Sequence, residues 1–158
     1  MAKRKIVKIG EALLRQKSRP VDEVSPRMLA LLDDMVETMR AADGVGLAAP
    51  QIGVLRRLVV IETPDSGLIQ MINPEIIAVD GEQTGVEGCL SVPGKSGTVT
   101  RPMNVTVRYT DRHGRVVERS GSGLLARAFC HELDHLDGKL YNSVAERMLA
   151  PEEIEELE

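Results

Sequence analysis

The sequence predicts an α+β fold in which antiparallel β-sheets surround a C-terminal metal-binding α-helix, with an amphipathic helix nearer the N-terminus. Three observations predict it. Short apolar or alternating segments, separated by Pro, Gly and Asp, fill the middle of the chain. One stretch before them and one after carry helical periodicity with recognisable ends. The later stretch also places two of the chain's three histidines four residues apart beside a carboxylate. No repeat, linker or low-complexity break divides the 158 residues, so a single domain over residues 1–158 is expected, with one buried core.

The first helix is expected over residues 26 to about 42. Ser25 can cap it, Pro26 suits its first turn, and Leu29, Leu32, Met35, Val36 and Met39 form its buried stripe. Asp43-Gly44 stops it. The glycine-rich run Gly44-Val45-Gly46-Leu47-Ala48-Ala49-Pro50-Gln51 follows a helix, and it lacks the Lys-Ser/Thr of a phosphate loop. It is therefore neither a phosphate loop nor a dinucleotide fingerprint. Strands are expected at 58–61, 68–79, 99–100, 105–109 and 115–119. Glu87-Gly88-Cys89-Leu90-Ser91 leads into an expected Pro93-Gly94 loop, and Asp111-Arg112-His113-Gly114 reads as a polar hairpin turn that exposes His113. The last helix is expected near 123–137, capped by Ser120-Gly121-Ser122-Gly123 and closed by Gly138. Leu124, Ala128, His131 and His135 form one stripe of it, and Leu125, Phe129, Glu132 and Leu136 form the adjacent one, so its metal face is also its buried face. From about residue 148 an acidic tail reads as a short amphipathic helix or a solvated end.

The chemistry begins with His131-Glu132-Leu133-Asp134-His135. Four residues turn a helix through about 400°, so both imidazoles can reach one ion. Glu132, offset by about 60° from His135, suits a general base acting on water more than a third ligand. A catalytic site of this kind needs one further protein ligand. His113 is a poor candidate, and Cys130 points about 100° away from His131, which makes it a buried thiol. Cys89 remains, as a buried cysteine or as the ligand. Asp134 reads as an acceptor for a ligating histidine or as a helix-surface charge.

Three ordered motifs, Gly44-Val45-Gly46-Leu47-Ala48-Ala49-Pro50-Gln51, Glu87-Gly88-Cys89-Leu90-Ser91 and His131-Glu132-Leu133-Asp134-His135, resemble the bacterial-type peptide deformylases, a likeness that extends over residues 6–141. The resemblance implies one divalent metal held by Cys89, His131 and His135 with water as fourth ligand. That ion is usually Fe(II) in the family, and zinc, nickel or cobalt can occupy such a site. It implies hydrolysis of the N-formyl group from the initiator methionine of nascent polypeptides, with release of formate. Glu132 would act as base, and the Gln51 side-chain amide and the Leu90 backbone N–H would donate to the oxyanion. It sets Val45 and Gly46 beside the peptide and Gly88 near its first side chain, with Leu124, Arg127 and Ala128 as pocket walls. It also suggests that Glu87 and Arg101 pair to brace the Cys89 loop. The usual residue before the first histidine is glutamine, where this chain has Cys130.

Other classes fit less well. A zinc endopeptidase shares the histidine motif but takes its third ligand from histidine or glutamate, and a purely structural metal module leaves Glu132 and Gln51 without a purpose. The formal charge of −4 and the lack of a basic stripe weigh against direct nucleic-acid binding. Two cysteines without paired spacing argue against a disulfide framework. Met1-Ala2-Lys3-Arg4-Lys5 runs straight into Ile6-Val7 without a leader pattern, and no apolar span suits a membrane helix. A cytoplasmic monomer is expected, with formylmethionyl nascent chains as partner. The acidic tail speaks against docking to ribosomal RNA while leaving transient ribosome association open. Aromatic residues make up 2% of the chain, so the core must rest on aliphatic side chains and methionine.

Overall fold

Ser25 Oγ accepts the Met28 N–H at 3.2 Å, and helix α1 runs Pro26–Ala41. The computed structural model describes residues 3–8, 11–140 and 147–149. On α1, Leu32, Met35, Val36 and Met39 are buried as their spacing requires, together with Leu31, while Leu29 is only partly covered. The chain leaves the helix where Asp43 adopts φ 55° and the Gly44 N–H returns to the Met39 carbonyl.

Among the described residues eight strands follow: β1 (Gly46–Ala48), β2 (Leu58–Thr63), β3 (Gly67–Asp80), β4 (Gln83–Cys89), β5 (Val92–Arg101), β6 (Asn104–Thr110), β7 (Val116–Ser122) and β8 (Arg147–Leu149). A five-stranded sheet has the order β1-β2-β3-β6-β7, and a three-stranded sheet the order β4-β5-β8. Every pairing in them is antiparallel. The five expected strands correspond to β2, β3, β5, β6 and β7, the last starting at Val116; β4 answers to a strand-like run before Cys89, and β1 and β8 were not expected. The segment expected at 99–100 is the end of the longer β5, which takes in the supposed Pro93-Gly94 loop. Pro93 is tolerated because it sits at the second position of its strand, just past the tight Leu90-Ser91 connection. Residues beyond Leu149, and with them most of the expected acidic tail, lie outside the described residues.

Strand alternation explains why the larger sheet is covered twice. Val59 and Ile61 of β2 join Met71, Val107, Phe129 and Leu133 in one core. Leu58 and Val60, facing the other way, join Leu32, Met35 and Met39 of α1 in a second.

Helix α2 (Leu124–Leu136) fills the space on the first of these faces. It is buried nearly all round from Ala126 to Leu133, a wider covering than two stripes, while Leu124 at its start is exposed. Its N-cap is Gly123 at φ 59° with no side-chain cap. The expected serine cap is absent because Ser122 Oγ donates to Asn104 Oδ1 at 2.6 Å instead. Gly138, at φ 76°, closes the far end against the Arg15 carbonyl, where a Cβ would clash. No helix among the described residues is long and apolar enough to cross a membrane.

Candidate metal centre

Two elements from different parts of the chain meet at the site. Helix α2 brings His131 and His135, whose ring centroids lie 5.1 Å apart, and the end of β4 brings Cys89. One ligand atom from each of these three residues falls within 4.8 Å of the others, the arrangement that could hold a metal ion. Cys89 Sγ is 3.3 Å from His135 Nε2. His113 is exposed in the hairpin turn, and Cys130 is buried in the core, where burial pushes its thiol pKa up.

The charges around the cluster favour a cation. His131 Nδ1 contacts Glu87 Oε1 at 2.9 Å, which directs Nε2 toward the other ligands. Burial by itself would lower the His131 pKa, but the Glu132 charge and the bonds to Cys89 and Glu87 outweigh it and raise it to about 10. This site attracts positive charge strongly. A metal cation is therefore a fitting replacement for that proton. His135 behaves oppositely: burial and the charge on His131 hold it down to about 3, leaving the neutral imidazole that ligates metals. One thiolate and two imidazoles form a donor set for a first-row transition ion.

Glu132 sits beside the cluster, and burial pushes its carboxyl up to about 7. Its Oε1 is a buried oxygen with no hydrogen-bond partner among the described residues, as is fitting for an acceptor reserved for water or substrate. On its other side the carboxylate packs on Gly46, where a Cβ would lie 2.6 Å from Oε2. The glycine of β1 is what lets the base come this close.

Gln51 follows β1 in a 3-10 turn and is almost fully buried. Its Oε1 accepts the Ala48 N–H at 3.0 Å, which aims Nε2 at Cys89 Sγ (3.5 Å) and Ser91 Oγ (3.2 Å). Leu90 lines the same cleft, of about 530 Å³, with Val45, Gly46, Gly88, Leu124, Arg127, Ala128, His131 and Glu132. The cleft is lined by the residues assigned from the sequence to metal, catalysis and substrate, except His135, which is fully buried.

A dense ionic knot backs the ligands. Arg101 grips Glu87 with two bonds of 2.9 Å and reaches Asp134 Oδ2 at 2.7 Å. Arg127 Nη1 bonds to the same Glu87 carboxylate and to the Val99 carbonyl. Burial would raise the Glu87 pKa, yet its bonds from His131 and Arg101 hold it down to about 2. Asp134 is thus the partner of Arg101, and Glu87 takes the histidine-orienting role that the sequence left between Asp134 and solvent. Ser91 and the Glu87 contacts to His131 and Arg127 were not foreseen. The signal that could have found Glu87 is its spacing from Cys89, since residues two apart in a strand share a face.

The sequence matches the family described as polypeptide deformylase over residues 3–149. It is 59% identical over 143 residues to a peptide deformylase of Lachnoclostridium phytofermentans, covering 89% of this chain and 88% of that one. It is 55% identical over 155 residues to a peptide deformylase of Caldanaerobacter subterraneus subsp. tengcongensis, covering 98% and 97%. The crystal structure of a peptide deformylase from Legionella pneumophila is similar with a TM-score of 0.87 at 41% identity, covering 99% and 97%.

Proposed function

The chain belongs to the polypeptide deformylase family, and from that premise we propose that its cleft hydrolyses the N-formyl group of methionyl nascent peptides, with Cys89, His131 and His135 holding one Fe(II) ion. The observation that carries this reading is the convergence of a thiol and two imidazoles with a buried carboxylate and a side-chain amide in one cleft. A thiolate third ligand also separates the site from zinc endopeptidases that use histidine or glutamate. When bound, a divalent ion of this kind lowers the pKa of water and polarises a carbonyl.

The remaining work falls to the chain's own groups. Glu132, with Oε1 unpartnered, takes a proton from the attacking water and delivers it to the departing nitrogen. Water oxygen bonds to the formyl carbon, the carbon–nitrogen bond breaks, and formate and a free amine result. Gln51 Nε2 and the Leu90 N–H donate to the oxygen on which negative charge develops. Val45 and Gly46 offer backbone groups at the edge of β1 to an extended peptide, Gly88 lies by its first side chain, and Leu124, Arg127 and Ala128 wall that side chain's pocket. The protein acts as a cytoplasmic monomer on nascent chains, touching the ribosome at most transiently.

Incubation of metal-loaded protein with formyl-Met-Ala, with detection of formate, tests the function. Absence of formate combined with internal cleavage of unformylated peptides would overturn it. Loss of activity on aerobic handling, prevented under anaerobic conditions, is expected for iron at a thiolate-containing site. Undiminished activity after prolonged exposure to air would exclude iron as the working ion.

A further inference from the structure

The two donors assigned to the carbonyl oxygen lie on different sheets, Gln51 just after β1 and Leu90 just after β4. Their separation therefore depends on how those sheets are tied together. One tie is internal, from Gln51 Nε2 to Cys89 and Ser91. A second runs along the outside. The Val7 N–H donates to the Gln51 backbone carbonyl at 2.7 Å, and Lys8 Nζ donates to the Leu90 backbone carbonyl at 3.2 Å. Lys8 also lines the cleft itself. Upstream, Arg4 fastens the same segment to α1 through an N–H bond to Thr38 Oγ1 and an ion pair with Asp34, both 2.8 Å.

We propose that Lys8 is a positioning residue for the reaction: residues 6–8 form a strap that joins the Gln51 turn to the Leu90 turn, and the Lys8 ammonium sets the spacing of the two oxyanion donors. This rests on the deformylase reading of the cleft. The Val7 N–H holds Gln51 by its carbonyl, while Leu90 is held by Lys8, the next residue of the strap. The Leu90 carbonyl lies in the peptide plane that follows its Cα and the N–H in the plane that precedes it, so the Lys8 bond restrains the N–H through the φ and ψ of Leu90 between them. The Lys8 bond is exposed, so it adds little to global stability. Its value is geometric, because misplacing a catalytic group by about 1 Å can cost about a hundredfold in rate.

The full-length, metal-loaded protein is compared with Lys8→Met and Lys8→Arg, using formate release from formyl-Met-Ala. Amide NMR of the Leu90 N–H and the Gln51 side chain is recorded in parallel on the diamagnetic zinc-loaded form. Lys8→Met is expected to lower kcat about tenfold while KM stays within about twofold, since the donors act mainly in the transition state. Metal content and Tm stay unchanged, the Leu90 and Gln51 signals shift or broaden, and Lys8→Arg restores both rate and signals. Unchanged signals or an unchanged kcat would overturn the proposal. So would a defect confined to KM, which makes Lys8 a substrate contact, or a fall in Tm or metal content sufficient to explain the loss. Wild-type protein that releases no formate refutes the deformylase reading, and the NMR comparison then decides the strap by itself.

Discussion

Gly46 and Glu132 constrain each other through the space a side chain on the glycine would need. A methyl on Gly46 would fall 2.6 Å from Glu132 Oε2, so Gly46→Ala is expected to push the carboxylate aside and lower kcat by about a hundredfold. Metal analysis should find the ion still bound, and near-normal turnover would show that the carboxylate needs no such close seat. A second pair of variants separates base from ligands: Glu132→Ala should keep the metal and lose nearly all turnover, whereas Cys89→Ala should lose the metal itself. Retained activity in metal-loaded Glu132→Ala would remove it as the base. The spacing of His131, Glu132 and His135 was readable because helix pitch fixes it locally. The acceptor of His131 was not, since Glu87 comes from another element and finds its partner only in the folded chain.

At the scale of elements, the β4–β5 pair is joined to α2 by the buried carboxylate of Glu87, shared among Arg101, Arg127 and His131. The folded state holds that carboxyl at about 2 against an ordinary 4.5. A depressed carboxyl stabilises fully above its unfolded pKa, and the stabilisation is lost as protons bind the folded form. The contribution is thus complete above about pH 4.5 and fades toward pH 2, which thermal melts in acid should register. Glu87→Gln should lower stability at neutral pH and flatten this acid limb. Parallel acid limbs in the two proteins would assign it to other groups. The helices were legible because periodicity and end signals are local: Ser25-Pro26 opens one and Gly138 closes the other. Strand β1 was not, and β4 only as a strand-like run without bounds before Cys89, because three residues in Gly46–Ala48 and a glycine-rich run ending at Cys89 carry little alternation. They become strands only by pairing with β2 and β5. The serine cap failed for the same reason, as Ser122 found a nearer partner across the hairpin in Asn104.

Over the whole molecule, the proposed ligands join distant parts of the chain, with Cys89 at the end of the smaller sheet's first strand and the histidines on the helix beneath the larger sheet. An ion gripping Cys89 and His131 behaves as a removable cross-link. Because its donors converge only in the folded chain, such an ion stabilises by mass action, by about 4 kcal/mol at a free concentration about a thousand times its Kd. Chelation should therefore lower Tm by about 10 °C, and readdition of metal should restore it. Cys89→Ala should show the lower Tm from the outset and respond to neither treatment, and an identical metal response in that variant would refute the link. The same triangle of donors would then serve as a reversible staple, so that starvation for metal weakens the fold as well as silencing the reaction.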